Sequence, residues 1–186
     1  MAETDNVTNG GNMSMARPSK LTQESLLGAI ERLLKTKNFT EITVSELTKI
    51  AGISRMTFYR HYQNIVDVLT VGMDDVLTAF NATMDFTQLN EATYILQMIQ
   101  FFDAHRTFVK ILLQAHQQEL LRQNITRVIA ELSADKVLLT NFTDYEKGYY
   151  AEYHAAGLMS VIVDWIEHDR PETPAELATF LSKNIQ

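Results

Sequence analysis

The placement of proline restricts the fold of this chain more than any other sequence feature. The chain has 186 residues, and its three prolines are Pro18, Pro171 and Pro174. A proline inside a helix removes a backbone hydrogen bond and clashes with the preceding turn, so the stretch between Pro18 and Pro171 is free to be helical. Apolar residues recur there at spacings of three and four, and strand-like alternation is scarce. We therefore predict an all-α fold of about nine helices.

The composition excludes several classes of protein. Cysteine is absent, which rules out disulfide scaffolds, thiolate metal sites and cysteine nucleophiles. The longest uncharged apolar stretch, near "AAGLMSVIV", is shorter than the roughly 20 residues that span a bilayer. Residues 1–19 are polar and lack the apolar region of a signal peptide, so we expect a disordered leader. Together these features predict a cytoplasmic protein without a membrane partner.

The charge of the chain is unevenly distributed. The net charge is −7 at pH 7, which taken alone argues against a nucleic acid partner. From Lys20 to Gln63, however, seven Lys/Arg stand against four Asp/Glu, whereas from Asn64 to Gln186 eight Lys/Arg stand against seventeen Asp/Glu. Such asymmetry is typical of a nucleic-acid-binding part joined to a part with another role.

The basic segment contains the pattern of a helix-turn-helix. A first amphipathic helix is predicted over about 22–37. "TVSE" is a capping box, so Thr43 caps a second helix, Gly52 ends it, and Ser54 caps a third helix that runs to about Tyr62. In a helix-turn-helix the last of these helices enters the major groove of DNA.

The side chains of the third helix divide into two groups on a helical wheel. Phe58 and Tyr62 fall together and are expected to pack on the first two helices, whereas Tyr59 and Arg60 point away from them. Arginines can hold phosphate or read guanine, and hydroxyls can donate to phosphate oxygens. The alternative is an ordinary amphipathic helix with a solvated basic face. The residues assigned to DNA are Thr43, Ser54, Arg55, Met56, Tyr59, Arg60 and His61.

The stretch "ITVSELTKIAGISRMTFYRHY", followed directly by an amphipathic helix, resembles the DNA-binding domain of TetR-family transcriptional regulators. The resemblance covers about 20–80, and a weaker likeness to the dimer helices of that family extends over "AAGLMSVIVDWIEHDRPETPAEL". It implies a helix-turn-helix domain over 20–63, a linking helix over 64–85, and a regulatory and dimerisation domain over 86–186.

The same resemblance implies a function. The expectation is a homodimeric repressor that a mostly apolar small molecule releases from a pseudo-palindromic operator in double-stranded DNA. Ile65 stands where family members often carry a phosphate-binding lysine, and most of the chain is acidic. These two features leave open the alternative of a helical co-regulator that acts through a protein partner and retains only vestigial DNA binding.

A ligand pocket is expected among the central helices, because pockets are lined by apolar and aromatic side chains with a few polar ones. The alternative is that these aromatics fill the core or the dimer interface. The residues assigned to the pocket are Tyr94, Met98, Phe101, Phe102, His105, Phe108, Tyr149, Tyr153 and His154.

The last long helix, predicted over about 144–168, carries apolar residues on more than one face. Since one subunit can cover only part of such a surface, and large apolar patches mark interfaces, we expect the dimer to form through it and the last helix. The residues assigned to the interface are Leu158, Ile162, Trp165, Leu177 and Leu181.

No sequence motif indicates catalysis or metal binding. A Gly-rich phosphate loop, a nucleophile elbow and paired carboxylates are all missing from the sequence. The five histidines do not form a ligand set at helical spacing. We therefore predict that the protein is not an enzyme and has neither a cofactor nor a metal.

Overall fold

The computed structural model describes residues 17–83, 91–134 and 143–184. These residues form nine α-helices and no strand, which confirms the predicted all-α fold. Residues 1–16 of the expected leader and 84–85 of the expected linking helix lie outside the described residues. The helices are α1 (Lys20–Leu34), α2 (Val44–Ala51), α3 (Arg55–His61), α4 (Ile65–Thr83), α5 (Glu91–Ala104), α6 (Arg106–Gln114), α7 (Gln118–Ala134), α8 (Asp144–Glu167) and α9 (Pro174–Asn184).

Short polar side chains set the boundaries of the first three helices. The Ser19 hydroxyl accepts from the Thr22 N–H (3.2 Å), so α1 begins before Thr22, which the sequence suggested as its start. Thr43 and Ser54 cap α2 and α3 as predicted. Gly52 ends α2 with φ +71°, a left-handed conformation that costs glycine little because it lacks a Cβ.

The first four helices share one core. Leu26 and Ile30 of α1, Leu47 of α2, Phe58 of α3 and Leu69 of α4 are all 0% exposed. Fully burying a side chain of this size contributes about 1.5–3 kcal/mol, so these contacts fix how α3 sits on α1 and α2. Helix α1 also packs against α4 and α6.

The remaining helices pack in pairs. Helix α7 lies along α8, and α5 lies along α9, while α6 contacts both α1 and α8. The Arg106 guanidinium at the start of α6 lies 4.5 Å from the centroid of the Trp165 ring in α8. Lys110 of α6 donates to both carboxylate oxygens of Asp169 (2.8 Å each) in the α8–α9 connection. Helix α6 therefore touches both the basic N-terminal helices and the acidic C-terminal ones.

Candidate nucleic-acid interface

The predicted division of α3 into a buried and an exposed side is confirmed. Phe58 and Tyr62 are both 0% exposed, and their ring centroids lie 5.3 Å apart. Met56 is 76% exposed and Tyr59 is 47% exposed. The two buried rings thus anchor a short helix whose other side faces solvent.

The exposed side of α3 gathers five of the seven residues assigned to DNA. Ser54, Arg55 and Arg60 are exposed together with Met56 and Tyr59. This face offers two guanidinium groups and a phenol, which are donors suited to base edges and phosphate oxygens. The Ser54 hydroxyl is also used to cap α3, since it accepts from the Thr57 N–H (3.0 Å).

The other two assigned residues, His61 and Thr43, lie outside this exposed face. His61 is partly buried, beside the ring of Tyr62 at 6.2 Å between centroids. The Thr43 hydroxyl and the Thr43 N–H both donate to Glu46 Oε2, at 2.8 Å and 3.0 Å. The Thr43 hydroxyl and N–H, which the sequence suggested for a DNA contact, are therefore bonded to the carboxylate of Glu46.

The carboxylate at the start of α2 is held by a cation. Lys37 Nζ donates to Glu46 Oε1 at 2.6 Å. This hydrogen bond, assisted by those from Thr43, lowers the pKa of Glu46 to about 2. The N-terminus of α2 thus carries a negative charge already paired within the chain.

A buried amide that sequence reasoning missed supports α3 from behind. Gln23 of α1 is 3% exposed, and its Oε1 accepts from the Tyr62 hydroxyl. Its Nε2 donates to the carbonyl of Val68 in α4 (2.8 Å). Burial raises the pKa of Tyr62 to about 12, with the nearby Asp75 carboxylate adding to the effect, so the phenol keeps its proton and remains a donor.

The sequence did contain a sign of this amide. Gln23 precedes Leu26, Ile30 and Leu33 at helical spacing, so it is a polar residue on the apolar stripe of α1. A buried polar group needs a partner, and its position on that stripe was enough to single it out as a structural or functional residue.

The residues assigned to a ligand pocket do not all face inward. Met98, Phe102 and Phe108 are buried at 2%, 4% and 8% exposure, whereas Tyr149 and Tyr153 are 74% and 73% exposed. Two side chains open to solvent to this extent cannot form the walls of an enclosed cavity within one chain. The other four assigned residues, Tyr94, Phe101, His105 and His154, are partly buried.

Several buried polar atoms of the central helices lack a hydrogen-bond partner. These atoms are Tyr94 Oη and Gln97 Oε1 in α5, and Thr126 Oγ1 in α7. Burial, with a smaller contribution from neighbouring Tyr150, raises the pKa of Tyr94. Unlike these three atoms, His105 Nδ1 has a hydrogen-bond partner, because it lies 2.8 Å from the Phe101 carbonyl oxygen.

The five residues assigned to the dimer interface are buried within the chain itself. Their exposure ranges from 0% for Ile162 and Leu181 to 8% for Leu177. The Trp165 ring is 3% exposed, and its Nε1 donates to the Glu172 carbonyl (2.9 Å). Their burial removes the uncovered apolar surface that was the reason for assigning them. The exposed apolar side chains of α8 and α9 are instead Tyr145 (82%), Tyr149 (74%), Tyr153 (73%) and Phe180 (59%).

Neither a metal site nor a membrane-spanning helix is found among the residues that the structure describes. No group of three or more His, Asp or Glu side chains is arranged there to hold a metal ion. None of the described helices combines the length and the apolar character needed to cross a membrane.

Residues 90–186 match the family model TetR_C_8, described as "Transcriptional regulator C-terminal region". The chain is 23% identical over 162 residues to YxbF of Bacillus subtilis, an uncharacterized HTH-type transcriptional regulator, covering 81% of this chain and 41% of YxbF. It is 41% identical over 71 residues to the HTH-type transcriptional regulator EthR of Mycolicibacterium smegmatis, covering 38% of this chain and 33% of EthR. The chain thus spans less than half the length of these two curated relatives.

A third relative and two solved structures extend the likeness along the chain. DhaS of Lactococcus lactis, named an activator of the dhaKLM operon, is 22% identical over 153 residues, covering 78% of this chain and 79% of DhaS. The structure of Lin0861 from Listeria innocua superposes with a TM-score of 0.73 at 18% identity, covering 88% of each chain. A structure of the dihydroxyacetone kinase operon activator DhaS gives 0.60 at 20% identity, covering 89% of this chain and 94% of that one.

Proposed function

The chain belongs to the TetR family of transcriptional regulators, and on this premise we propose that it is a homodimeric repressor that binds a pseudo-palindromic operator through α3. In this proposal residues 20–63 bind the DNA, residues 64–85 connect the two parts of the chain, and residues 86–186 regulate and dimerise. The observation that carries the proposal is the exposed face of α3, in which Arg55, Tyr59 and Arg60 stand over the buried pair Phe58 and Tyr62.

The charges of this face suit duplex DNA. Arg55 lies at the N-terminal end of α3, where a recognition helix meets base edges, and its planar fork fits the two acceptors of guanine. Arg60 lies in the last turn of the same helix and is placed to contact a phosphate. The Met56 side chain gives an apolar contact of the kind that thymine methyl groups accept.

The homodimer forms through the exposed face of α8. Tyr149 and Tyr153 project from it, and Ala156, Gly157 and Ser160 follow on the same exposed side. A Cβ built on Gly157 would meet nothing within 4 Å. In a two-fold arrangement with antiparallel α8 helices, the rings of one copy pack over the small residues of the other. Such a dimer presents two α3 helices, so the operator has inverted half-sites.

A small molecule releases the operator by binding between the central helices. The unpartnered Tyr94 Oη and Gln97 Oε1 provide hydrogen-bonding groups in α5, the same helix that carries the buried apolar side chains of Met98 and Phe102. A ligand with one or two polar groups on an apolar body fits this mixture. It acts by its differential affinity for the DNA-binding and DNA-free states.

Selection of bound sequences from random duplexes tests the proposal. We expect an enriched inverted repeat, together with an affinity that falls steeply as salt rises because phosphate contacts release counterions. Arg55→Ala and Arg60→Ala proteins, which each lack one guanidinium of the exposed face of α3, are compared with the wild type. Each should bind the selected duplex more weakly. If no inverted repeat is enriched, the repressor model is overturned and the alternative of a co-regulator that binds a protein is favoured.

A second candidate function is transcriptional activation from the same bound site. It is supported by the relative DhaS, which is named an activator and aligns with 78% of this chain. A reporter gene placed behind the selected sequence distinguishes the two, because a repressor lowers its expression and an activator raises it.

A further inference from the structure

The most exposed apolar side chain of α3 is that of Met56. It is 76% exposed and stands at the second position of the helix, directly after Arg55. Side chains of a helix lean back towards its N-terminal end, so the Met56 thioether extends towards the same end of α3 as the Arg55 guanidinium. This is the end at which a recognition helix meets base edges.

The hydroxyl groups nearest to Met56 in sequence hold the first turn of α3 together. Ser54 Oγ and Thr57 Oγ1 lie 2.9 Å apart, and the Thr57 N–H donates to Ser54 Oγ (3.0 Å). Thr57 is also partly buried, whereas Arg55 and Met56 are exposed. The first turn therefore presents to a duplex one guanidinium and, beside it, one thioether.

A thioether recognises few features of the major groove. It has no donor, and its sulfur is only a weak acceptor, so it does not distinguish the O4 atom of thymine from the N4 amino group of cytosine. It does pack against a C5-methyl group, and the methionine side chain is flexible and polarisable enough to follow that surface. Met56 thus distinguishes a pyrimidine with a 5-methyl group from one without it, and does not distinguish thymine from 5-methylcytosine.

The sequence position of Met56 fixes where this base lies. Consecutive Cα atoms are about 3.8 Å apart, and the nucleotides of one strand follow each other at about 3.4 Å along the duplex. Arg55 and Met56 are consecutive, so their side chains reach neighbouring base pairs. Since Arg55 is suited to the two acceptors of guanine, the base read by Met56 belongs to the pair next to that guanine.

We propose that each half-site carries a 5-methylpyrimidine on the base pair next to the guanine bound by Arg55, and that Met56 reads this base through its methyl group alone. This inference rests on the proposed DNA-binding function and adds the chemical class of one base that the site recognises. It has a consequence for methylated DNA. A cytosine at this position binds weakly until its C5 atom is methylated, so cytosine methylation creates a binding site for this protein.

Single-base replacement in the selected duplex tests the proposal with the full chain. Each thymine of the half-sites is replaced in turn by deoxyuridine, which lacks only the 5-methyl group, and the affinity is measured by fluorescence anisotropy. At one position the replacement should weaken binding about fourfold per half-site, the effect of burying one apolar carbon. A 5-methylcytosine paired with guanine there should bind like thymine, whereas cytosine should bind like deoxyuridine. Deoxyuridine placed outside the half-sites is the control and should leave the affinity unchanged.

Substitutions in the first turn of α3 assign the methyl effect to one side chain. Met56→Gln keeps the length of the side chain but ends it in an amide, so the difference between thymine and deoxyuridine should disappear. Met56→Leu keeps an apolar side chain and should retain this difference. Arg55→Ala should retain it too, while losing the preference for guanine on the neighbouring pair. Because both residues are exposed, all three proteins should melt like the wild type.

Three results overturn the proposal even when the wild type selects a duplex. In the first, no deoxyuridine replacement within the half-sites weakens binding. In the second, the methyl effect persists in Met56→Gln. In the third, the sensitive thymine does not neighbour the guanine whose preference is lost in Arg55→Ala. If the wild type selects no duplex at all, the proposed function itself fails, and this inference fails with it.

Discussion

Lys37 and Glu46 form an ion pair at 2.6 Å between Lys37 Nζ and Glu46 Oε1, and it joins the segment after α1 to the first turn of α2. The same carboxylate closes the capping box with Thr43. The Glu46 side chain thus both starts α2 and ties it to the segment that follows α1.

The ion pair predicts a pH dependence of stability. The pKa of Glu46 is lowered to about 2 from 4.5, so its contribution is present above pH 4.5 and is lost as pH falls towards 2. Glu46→Gln keeps a capping side chain but removes the charge. The difference in melting temperature between wild type and Glu46→Gln should therefore shrink between pH 4.5 and 2. A difference that is constant across this range would contradict the assignment.

The buried side of α3 predicts a large loss of stability on truncation. Phe58→Ala should lower the free energy of unfolding by about 3–5 kcal/mol, because the ring is fully buried and leaves a cavity. Met56→Ala, on the exposed side, should change it by less than about 0.5 kcal/mol. Urea unfolding followed by circular dichroism measures both. Equal effects of the two substitutions would mean that α3 is not anchored as described.

The exposed side of α3 predicts a loss of DNA affinity without a loss of stability. Arg55→Ala should cost about 1–3 kcal/mol of binding and relax sequence preference at one position of each half-site. Tyr59→Phe should weaken binding and leave melting nearly unchanged, because it removes one exposed hydroxyl. Fluorescence anisotropy at several salt concentrations measures these affinities. A Tyr59→Phe protein with normal affinity would remove that hydroxyl from the interface.

The exposed tyrosines of α8 predict how the dimer can be broken. Tyr149→Lys with Tyr153→Lys should give monomers that remain folded, because both rings lie outside the core of the chain and their removal takes away the aromatic packing over the small residues of the other copy. Analytical ultracentrifugation at micromolar concentration is the measurement, with Leu21→Lys, at 75% exposure on α1, as the control. A tyrosine-to-lysine protein that stays dimeric would place the interface elsewhere.

Charges introduced at Leu177 or Leu181 serve a different purpose. These side chains are 8% and 0% exposed, so a charge there disrupts the packing of the chain itself. We expect loss of folding before any specific loss of association, since a buried unpaired charge is strongly destabilising. Circular dichroism of each variant separates the two effects.

The unpartnered hydroxyl of Tyr94 predicts opposite effects on stability and on ligand response. Tyr94→Phe removes a buried polar group without a partner, so the protein should become more stable by about 1 kcal/mol. The same substitution should weaken the response of the DNA complex to any effector that bonds to this hydroxyl. Tyr145→Phe, at an exposed position, is the control. Lower stability of Tyr94→Phe would show that the hydroxyl is satisfied in solution.

The sequence predicted the exposed face of α3 well, because the features that determine this helix and its two sides are local in sequence. Capping residues act within one turn. On a short helix, a helical wheel is sufficient to assign Phe58 to the buried side and Tyr59 to the exposed side. These rules do not depend on the rest of the fold, so the boundaries of α2 and α3 and the two sides of α3 agree with the structure.

The C-terminal helices were harder to interpret because periodicity shows which residues are apolar and not what covers them. Leu158 and Ile162 are covered within the chain, where α8 packs against α7 and α6, so they need no second subunit. Gln23 was overlooked for a related reason, since its partners Tyr62 and Val68 lie 39 and 45 residues away. Contacts over such distances depend on the tertiary arrangement, which a sequence pattern does not contain.

The pairing of α5 with α9 has a consequence for synthesis of the chain. Helix α5 ends at Ala104 and α9 begins at Pro174, so roughly 70 residues must be translated after α5 before its partner exists. At about 5–20 residues per second, that interval is on the order of several seconds. During this time α1 to α4 can already assemble, while α5 emerges without the helix that packs along it. A nascent chain stalled before α9 thus carries an α5 without its packing partner, which favours chaperone binding and aggregation.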